Sequence, residues 1–200
     1  MIENDAMFRL GYGLYVLTTK GAQDNGCIIN TAMQVTAAPN RILVGVNKEN
    51  LTHDIIQYTK VFNLSVLTEN CPFEVYRHFG YQSGKKVDKF ADYKDCCRSD
   101  NGIYYITGGA NAFLSGRVAE SIDCRTHTLF LAEVTAAKIL GDEPSVTYAY
   151  YQKNVKPKPE KTAKSGYRCK VCGYIYEGEE LPADFICPLC KHGAADFEKI

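Results

Sequence analysis

The chain has 200 residues, 46% of them hydrophobic and 12% aromatic, which is enough apolar material for a buried core in one or two domains. Its 23 basic and 23 acidic residues cancel, so no overall field favours nucleic acid. The sequence has no apolar run of roughly 18 residues and no basic-then-apolar leader, which predicts neither a membrane span nor secretion. Nine cysteines, five of them without shared metal spacing, suit a reducing compartment, so we expect a cytoplasmic protein.

Short runs rich in β-branched and aromatic residues, separated by Gly, Asn and Pro, predict strands over 14–19, 41–46 and 62–67. Residues 50–60 begin with capping residues and end in lysine, which predicts a helix, and Pro72 opens a shorter one that reaches Phe79. Further strands are predicted over 103–106, 111–122 and 128–139, although the last is Ala-rich and has the composition of a helix. Many antiparallel strands with few helices predict a mainly β fold, a barrel.

Composition changes sharply near residue 153. Residues 153–164 hold five lysines, one acid and two prolines without apolar periodicity, which predicts a semi-rigid, solvated linker over 153–166. The sequence therefore divides into a larger domain, 1–152, and a small one, 167–200, which has six acidic and four basic residues.

The small domain contains two CxxC pairs, Cys169 with Cys172 and Cys187 with Cys190. Four thiolates at this spacing predict one tetrahedral metal site, and such a site selects zinc or iron. The two metals imply different functions, because zinc has no redox chemistry while thiolate-bound iron transfers one electron. The spacing alone leaves both metals open.

Residues 167–176, 187–190 and 195–198, with their aromatic side chains, closely resemble rubredoxin, an iron-tetracysteine electron carrier. The segment between the two pairs is shorter than in free-standing rubredoxins and is similar to the compact form fused to rubrerythrins. The resemblance implies one iron ion held by the four cysteines. The alternative is a zinc ribbon that only stabilises a small domain.

Two polar segments of the larger domain, 30–39 and 47–53, follow or precede predicted strands. The second segment has the parts of a phosphate site: a helix N-terminus, a lysine, and short amide and hydroxyl groups. An ordinary capped surface turn has the same composition. Neither GxGxxG nor GxxxxGK[ST] is present, so the sequence supports neither a Rossmann site nor a P-loop.

Both segments, in this order, resemble the flavin reductase-like split-barrel family, whose members bind FMN. The similarity covers most of residues 8–150. It rests on 12–19, 30–39, 43–48 with 52–53, 62–67, 79–80 with 83–84, and 127 with 129–134. The resemblance implies an FMN-binding split β-barrel that forms a homodimer.

Transferred residue by residue, the resemblance implies three groups of flavin contacts and no catalytic side chain. The isoalloxazine and ribityl contacts are Asn30, Gln34, Val35 and Thr36. The phosphate contacts are Asn47, Lys48, Asn50 and Thr52. Ser83 and His127 are further candidates, the histidine for the nicotinamide side, although a lone histidine at a strand start is more often structural.

The fusion as a whole is similar to the high-molecular-weight rubredoxins. That resemblance implies electron transfer from NAD(P)H through FMN to the attached iron, and then to a flavodiiron-type oxygen or nitric oxide reductase or another acceptor protein. One alternative is a non-enzymatic flavin- or ligand-binding barrel whose zinc ribbon docks a partner. Another is a protein whose flavin receives electrons from a different carrier. The sequence leaves open NADH against NADPH and the roles of Cys27, Cys96, Cys97 and Cys124.

Overall fold

The larger domain is built on a seven-stranded antiparallel sheet in the computed structural model, which describes residues 3–157, 166–171, 173–188 and 192–200. The strands of this part are β1 (Tyr15–Lys20), β2 (Asp24–Ile29), β3 (Ala32–Ala37), β4 (Asn40–Asn47), β5 (Val61–Leu67), β6 (Cys96–Arg98), β7 (Tyr104–Ile106), β8 (Ala110–Cys124) and β9 (His127–Ile139). β6 and β7 form a separate two-stranded sheet.

The order of strands explains why the sheet becomes a barrel. Across the sheet the order is β2-β1-β5-β8-β9-β4-β3. The two edge strands, β2 and β3, follow each other in the chain with only residues 30–31 between them. The sheet must therefore curl until its edges lie close together, which confirms the predicted mainly β, split-barrel fold.

The barrel interior is filled by large apolar side chains from strands on all sides. Val44 and Val46 of β4, Phe62 of β5 and Phe130 of β9 are all fully buried there. Burying one such side chain contributes about 1.5–3 kcal/mol, so this core accounts for much of the domain's stability.

Two helices pack on the barrel, α1 (Leu51–Thr59) and α2 (Phe73–Gly80). Helix α1 follows Asn50 and ends at Lys60, whose φ of 62° lies in the left-handed region and stops the helix. Its Ile56 is buried in the barrel core. Helix α2 buries Tyr76 and Phe79 in a second apolar cluster beside the barrel.

The structure confirms the predicted strands and both predicted helices. The Ala-rich segment is strand β9 and not a helix, because it pairs with β4 along one side and with β8 along the other. Strands β2, β3 and β6 were not predicted. The sequence of β2 begins Asp24-Asn25-Gly26, which is typical of a turn, and β3 lies inside the polar segment 30–39.

The C-terminal part forms a three-stranded antiparallel sheet. Its strands are β10 (Tyr167–Cys169), β11 (Ile175–Tyr176) and β12 (Phe197–Lys199), in the order β11-β10-β12. A short helix, α3 (Tyr148–Tyr150), continues as a π-helical segment, Tyr151–Val155, so the predicted linker begins inside helical structure. Most of that linker, 158–165, lies outside the described residues. Within the described ranges no helix is long and apolar enough to cross a bilayer.

Candidate flavin site and metal centre

The four predicted phosphate contacts lie together where β4 ends and α1 begins. Asn47 closes β4, and its side-chain oxygen accepts a hydrogen bond from the Glu49 N–H at 2.9 Å. Asn50 is the N-cap residue, but its side chain makes no capping hydrogen bond. The N–H groups of the first turn therefore receive no cap from that side chain, and these are the donors that a phosphate at a helix N-terminus accepts from.

Two of these side chains already have protein partners. The Lys48 ammonium contacts both carboxylate oxygens of Asp123 at 2.7 Å. This hydrogen bond holds the pKa of Asp123 below its usual value. The buried Thr52 hydroxyl donates to the Asn25 side-chain oxygen at 2.8 Å. A phosphate here would compete with Asp123 for Lys48, whereas Thr52 serves first to join α1 to β2.

Asn25 and Gly84 connect this cluster to the loop after α2. A Cβ atom on Gly84 would clash with the Asn25 amide, so the close approach of the loop requires glycine at this position. The neighbouring Ser83 is exposed, and its hydroxyl accepts from the Lys85 N–H at 3.3 Å. The structure therefore places Ser83 beside the Asn25–Thr52 pair. Sequence reasoning missed Asn25, which has the surroundings of a turn residue.

Lys89 is a second residue that sequence reasoning missed. The residue is 3% exposed, and its ammonium donates to the carbonyl oxygens of Gly26 at 2.8 Å and Phe79 at 2.9 Å. Burial lowers the pKa of Lys89 to about 8, and the Cys27 thiol nearby opposes that shift. The contact ties the loop to β2 and α2. No local signal distinguishes this lysine from its exposed neighbours in the same loop.

His127 lies opposite Asn47 in the pairing of β4 with β9, so the structure brings it next to the predicted phosphate contacts. Its ring is exposed, and Nδ1 lies 3.0 Å from the Thr126 hydroxyl. A different histidine, His53 of α1, is buried on the barrel side of the helix, where its Nε2 lies 2.9 Å from the Thr128 hydroxyl. Exposure leaves His127 accessible to a ligand, whereas His53 supports the helix.

The predicted isoalloxazine contacts do not lie together, because β3 carries the chain away from Asn30. The Thr31 carbonyl accepts a hydrogen bond from the Gly45 N–H. Asn30 therefore lies beside the end of β4, near the predicted phosphate contacts. Gln34, Val35 and Thr36 lie further along the strand, roughly 13–20 Å away at about 3.3 Å per residue. A β-bulge falls between Gln34 and Thr36, and Val35 is 49% exposed.

A cavity of about 320 Å³ opens at the barrel mouth beside Gln34. Tyr15, Leu64 and Leu114 line its apolar side, and Arg41 lines its polar side. The predicted flavin contacts therefore lie along β3. The predicted phosphate contacts are at one end of the strand, and the apolar cavity is at the other. An apolar cavity with a few polar groups is the usual form of a cofactor site.

The C-terminal part brings two of the four predicted metal ligands into one buried cluster. Cys169 is 1% exposed and Cys187 is fully buried, and Phe197 packs with them. The turn after Cys169 donates the Gly173 N–H to the Cys169 carbonyl, with Gly173 at φ 82°. Cys172 and Cys190 lie outside the described residues. Buried sulfurs from two separate turns suit a tetrathiolate site inside an aromatic shell.

The five cysteines of the larger domain are thiols outside any disulfide. Cys71 is buried, and burial raises the pKa of its thiol to about 12. Burial also raises the pKa of Cys27. Both therefore stay protonated near neutral pH and act as small apolar side chains.

Comparison with known families matches both parts of the chain. Residues 7–158 match the model of the flavin reductase like domain, and residues 167–198 match that of the rubrerythrin, rubredoxin-like domain. The first match alone covers more than half of the chain.

Individual relatives match either the whole chain or most of it. A high molecular weight rubredoxin from Moorella thermoacetica is 34% identical over the full length of both chains. A ferric-chelate reductase (NAD(P)H) from Archaeoglobus fulgidus is 34% identical over 84% of this chain and all of its own. Among solved structures, the NADH:FAD oxidoreductase SgcE6 of Streptomyces globisporus superposes with a TM-score of 0.64 and 25% identity, over 74% of this chain and 90% of its own.

Proposed function

Because the chain belongs to the flavin reductase-like family and carries a C-terminal rubredoxin-like domain, we propose that it passes electrons from NAD(P)H through bound FMN to an iron-tetracysteine centre. The observation that carries the proposal is that one chain combines two sites. One is the basic helix N-terminus at Lys48 and Asn50, and the other is the buried pair Cys169 and Cys187. Neither site alone would distinguish this activity from simple flavin or metal binding.

The barrel residues are suited to binding and orienting the cofactor. The first-turn N–H groups of α1 and the Lys48 ammonium would hold the single terminal phosphate of FMN, with Ser83 at its side. Asn30, near the phosphate contacts, would contact the ribityl chain. The backbone of Gln34 to Thr36 would pair with the polar edge of the ring system, and Val35 would contact its face. Bound FMN would accept a hydride as two electrons and a proton and would release the electrons singly to an iron-tetrathiolate centre.

Hydride transfer of this kind needs close stacking and exclusion of water, so we assign no acid–base residue. His127 lies at the open side of the phosphate cluster, where it would contact the nucleotide that donates the hydride. The names of two relatives support NAD(P)H or NADH as donor, namely the ferric-chelate reductase and the NADH:FAD oxidoreductase. Cys172 and Cys190 would complete the metal site with the two buried cysteines.

A homodimer is part of the proposal. Every residue of β3 after Ala32 is exposed, and Met33 and Val35 present apolar side chains at 59% and 49% exposure. Ile122 of β8 and Ile139 of β9 are also exposed apolar side chains. Exposed apolar surface of this kind marks association sites, and a second copy seated on β3 would enclose the flavin contacts. Light scattering should give twice the chain mass.

An acceptor protein must take the electrons from the iron, and we propose a flavodiiron-type oxygen or nitric oxide reductase. The acidic C-terminal part, with a net charge of −2, would meet a basic patch on that acceptor. The free thiols of the larger domain fit a reducing compartment, so the proposed location is the cytoplasm.

An anaerobic absorption titration tests the proposal. NADH or NADPH is added to protein from its native host, with FMN, FAD, iron and zinc measured on the same sample. The proposal predicts FMN and iron, and bleaching of both absorption bands by at least one nucleotide. Zinc in the cysteine site, or flavin that neither nucleotide reduces, would contradict it.

A further inference from the structure

An aromatic residue of the barrel, Tyr81, packs against the C-terminal part. Tyr81 directly follows α2, and its ring packs against the buried cluster of Cys169, Cys187 and Phe197. Beside this contact lies a cavity of about 280 Å³, lined by Tyr81, by other barrel tyrosines and by Val171 of the CxxC turn. The cysteine-bearing turns of the small domain therefore face the barrel.

The barrel holds Tyr81 in a fixed position. The Tyr81 and Tyr151 hydroxyls lie 2.7 Å apart. The Tyr151 ring is 6% exposed and lies 4.7 Å from that of the buried Tyr76. Phe73 flanks Tyr81 with ring centroids 5.9 Å apart. One end of Tyr81 is thus anchored in the barrel's second apolar cluster, while its ring meets the cysteine cluster.

Tyr81 also belongs to a loop that borders the phosphate-contact end of the candidate flavin site. On one side, a Cβ atom on Gly80 would lie 3.2 Å from Ile28, which is two residues before Asn30. On the other side, the same loop continues to Gly84, whose backbone lies against Asn25. A side chain that touches the cysteine cluster is therefore part of the loop that borders the proposed flavin contacts.

Charge supports the same seating. Lys86 of the barrel loop and Asp196 of the small domain line a common cavity of about 180 Å³, together with His192. Lys86 is a cation of the loop and Asp196 is a carboxylate of the small domain, so these two lining residues have opposite charges. Opposite charges across such a contact favour docking in one orientation.

We infer that Tyr81 is a positioning residue that docks the rubredoxin-like domain on the barrel, with its cysteine cluster against the loop that borders the candidate flavin site. The inference rests on the proposed function for the identity of donor and acceptor. Each hydride delivers two electrons and its proton passes to solvent. The electrons would reduce the chain's one ferric ion to ferrous singly, the second after the acceptor protein has reoxidised the iron. Docking through Tyr81 sets the geometry of each one-electron transfer, whereas reduction of the flavin by nucleotide does not depend on it.

Docking itself is tested without electron transfer. A carbodiimide joins adjacent amines and carboxylates, and peptide mass spectrometry then quantifies the link between Lys86 and Asp196 in the full-length, metal-loaded protein. The link should fall at least tenfold in Tyr81→Ala and be retained in Tyr81→Phe, which keeps the ring. Tyr58→Ala is the control, because Tyr58 is 89% exposed on α1. An unchanged link in Tyr81→Ala would overturn the inference.

Val171→Lys provides a second test that leaves the barrel core intact, because it adds a cation to the cavity that Val171 shares with Tyr81 and Lys156. It should weaken the same link as strongly as Tyr81→Ala does, and a link of wild-type yield would again oppose the inference.

Stopped-flow absorption separates this inference from the proposed function. In Tyr81→Ala the flavin should be reduced at a rate within twofold of wild type, while iron reduction slows at least tenfold. Equal iron reduction rates in the variant and wild type would refute the role of Tyr81. A flavin that stays oxidised in the wild type would refute the proposed function, and the cross-link would still report on docking.

Discussion

The buried Lys89 ammonium should make the free energy of unfolding rise with pH above about 8. Lys89 is buried, and its pKa is lowered to about 8 in the folded state, against about 10.4 for a free lysine side chain. Between these values the unfolded chain binds more protons than the folded one. The free energy of unfolding must therefore increase as pH rises through 8, and the gain ends near the unfolded pKa.

The size of the effect follows from the two pKa values. Each pKa unit corresponds to about 1.4 kcal/mol, so the stability gain is about 2 kcal/mol by pH 9.5 and approaches about 3 kcal/mol above pH 10. Other groups titrate in this range, and the buried thiol of Cys71 changes stability in the opposite direction. The informative quantity is therefore the difference in unfolding free energy between the wild type and Lys89→Met.

Urea unfolding of both proteins at pH 7.0, 8.0, 9.0 and 9.5 measures that difference. We expect it to shift in favour of the wild type by about 2 kcal/mol across the series, with similar m-values. Lys85→Met is the control, because Lys85 is exposed, and its difference from wild type should stay flat. A flat difference for Lys89→Met would show that the ammonium is solvated in the native state and would refute the reasoning.

Three further predictions concern the two sites. Lys48→Ala should weaken FMN binding roughly tenfold in a fluorescence titration, because one charge-assisted contact is lost; equal affinities for variant and wild type at low salt would argue against a phosphate at α1. Gly84→Ala should destabilise the protein by about 1–3 kcal/mol because its Cβ meets the Asn25 amide, whereas Gly141→Ala meets no atom within 4 Å; equal melting temperatures would contradict that packing. Cys187→Ser should remove the iron absorption bands while Cys97→Ser, at an exposed site, keeps them, and intact bands in the former would exclude Cys187 as a ligand.

The sequence predicted those parts of the fold that depend on local pattern. Strand β5 lies in a run rich in β-branched and aromatic residues, and α1 begins with capping residues and is followed by a lysine, so both were recognisable. Strand β9 was ambiguous by composition, because its alanines favour a helix, and pairing with β4 and β8 decides its state. Strand β2 was hidden because Asn25 and Gly26 have turn chemistry, and long-range contacts with Thr52 and Lys89 hold them in the strand.

The same distinction applies to the candidate sites. The CxxC pairs and the segment at Lys48 are contiguous in sequence, so the sequence shows them directly. Lys89 and Tyr81 become visible only in three dimensions. Nothing near Lys89 in the chain shows that its ammonium is buried, and nothing near Tyr81 shows that its ring meets cysteines more than eighty residues away. Residues whose partners are distant in sequence carry no local signal.

The central claim is that one chain carries electrons from a flavin to its own metal centre, and a single-turnover experiment tests it most directly. Anaerobic protein is mixed with less than one equivalent of NADH or NADPH, and flavin and iron absorption are followed at several protein concentrations. We predict that each reduced flavin passes one electron to the single iron of its own chain in a first-order phase whose rate does not change with protein concentration, as expected for a tethered acceptor. Iron that stays ferric after the flavin is reduced, or a rate that rises in proportion to protein concentration, would contradict the account.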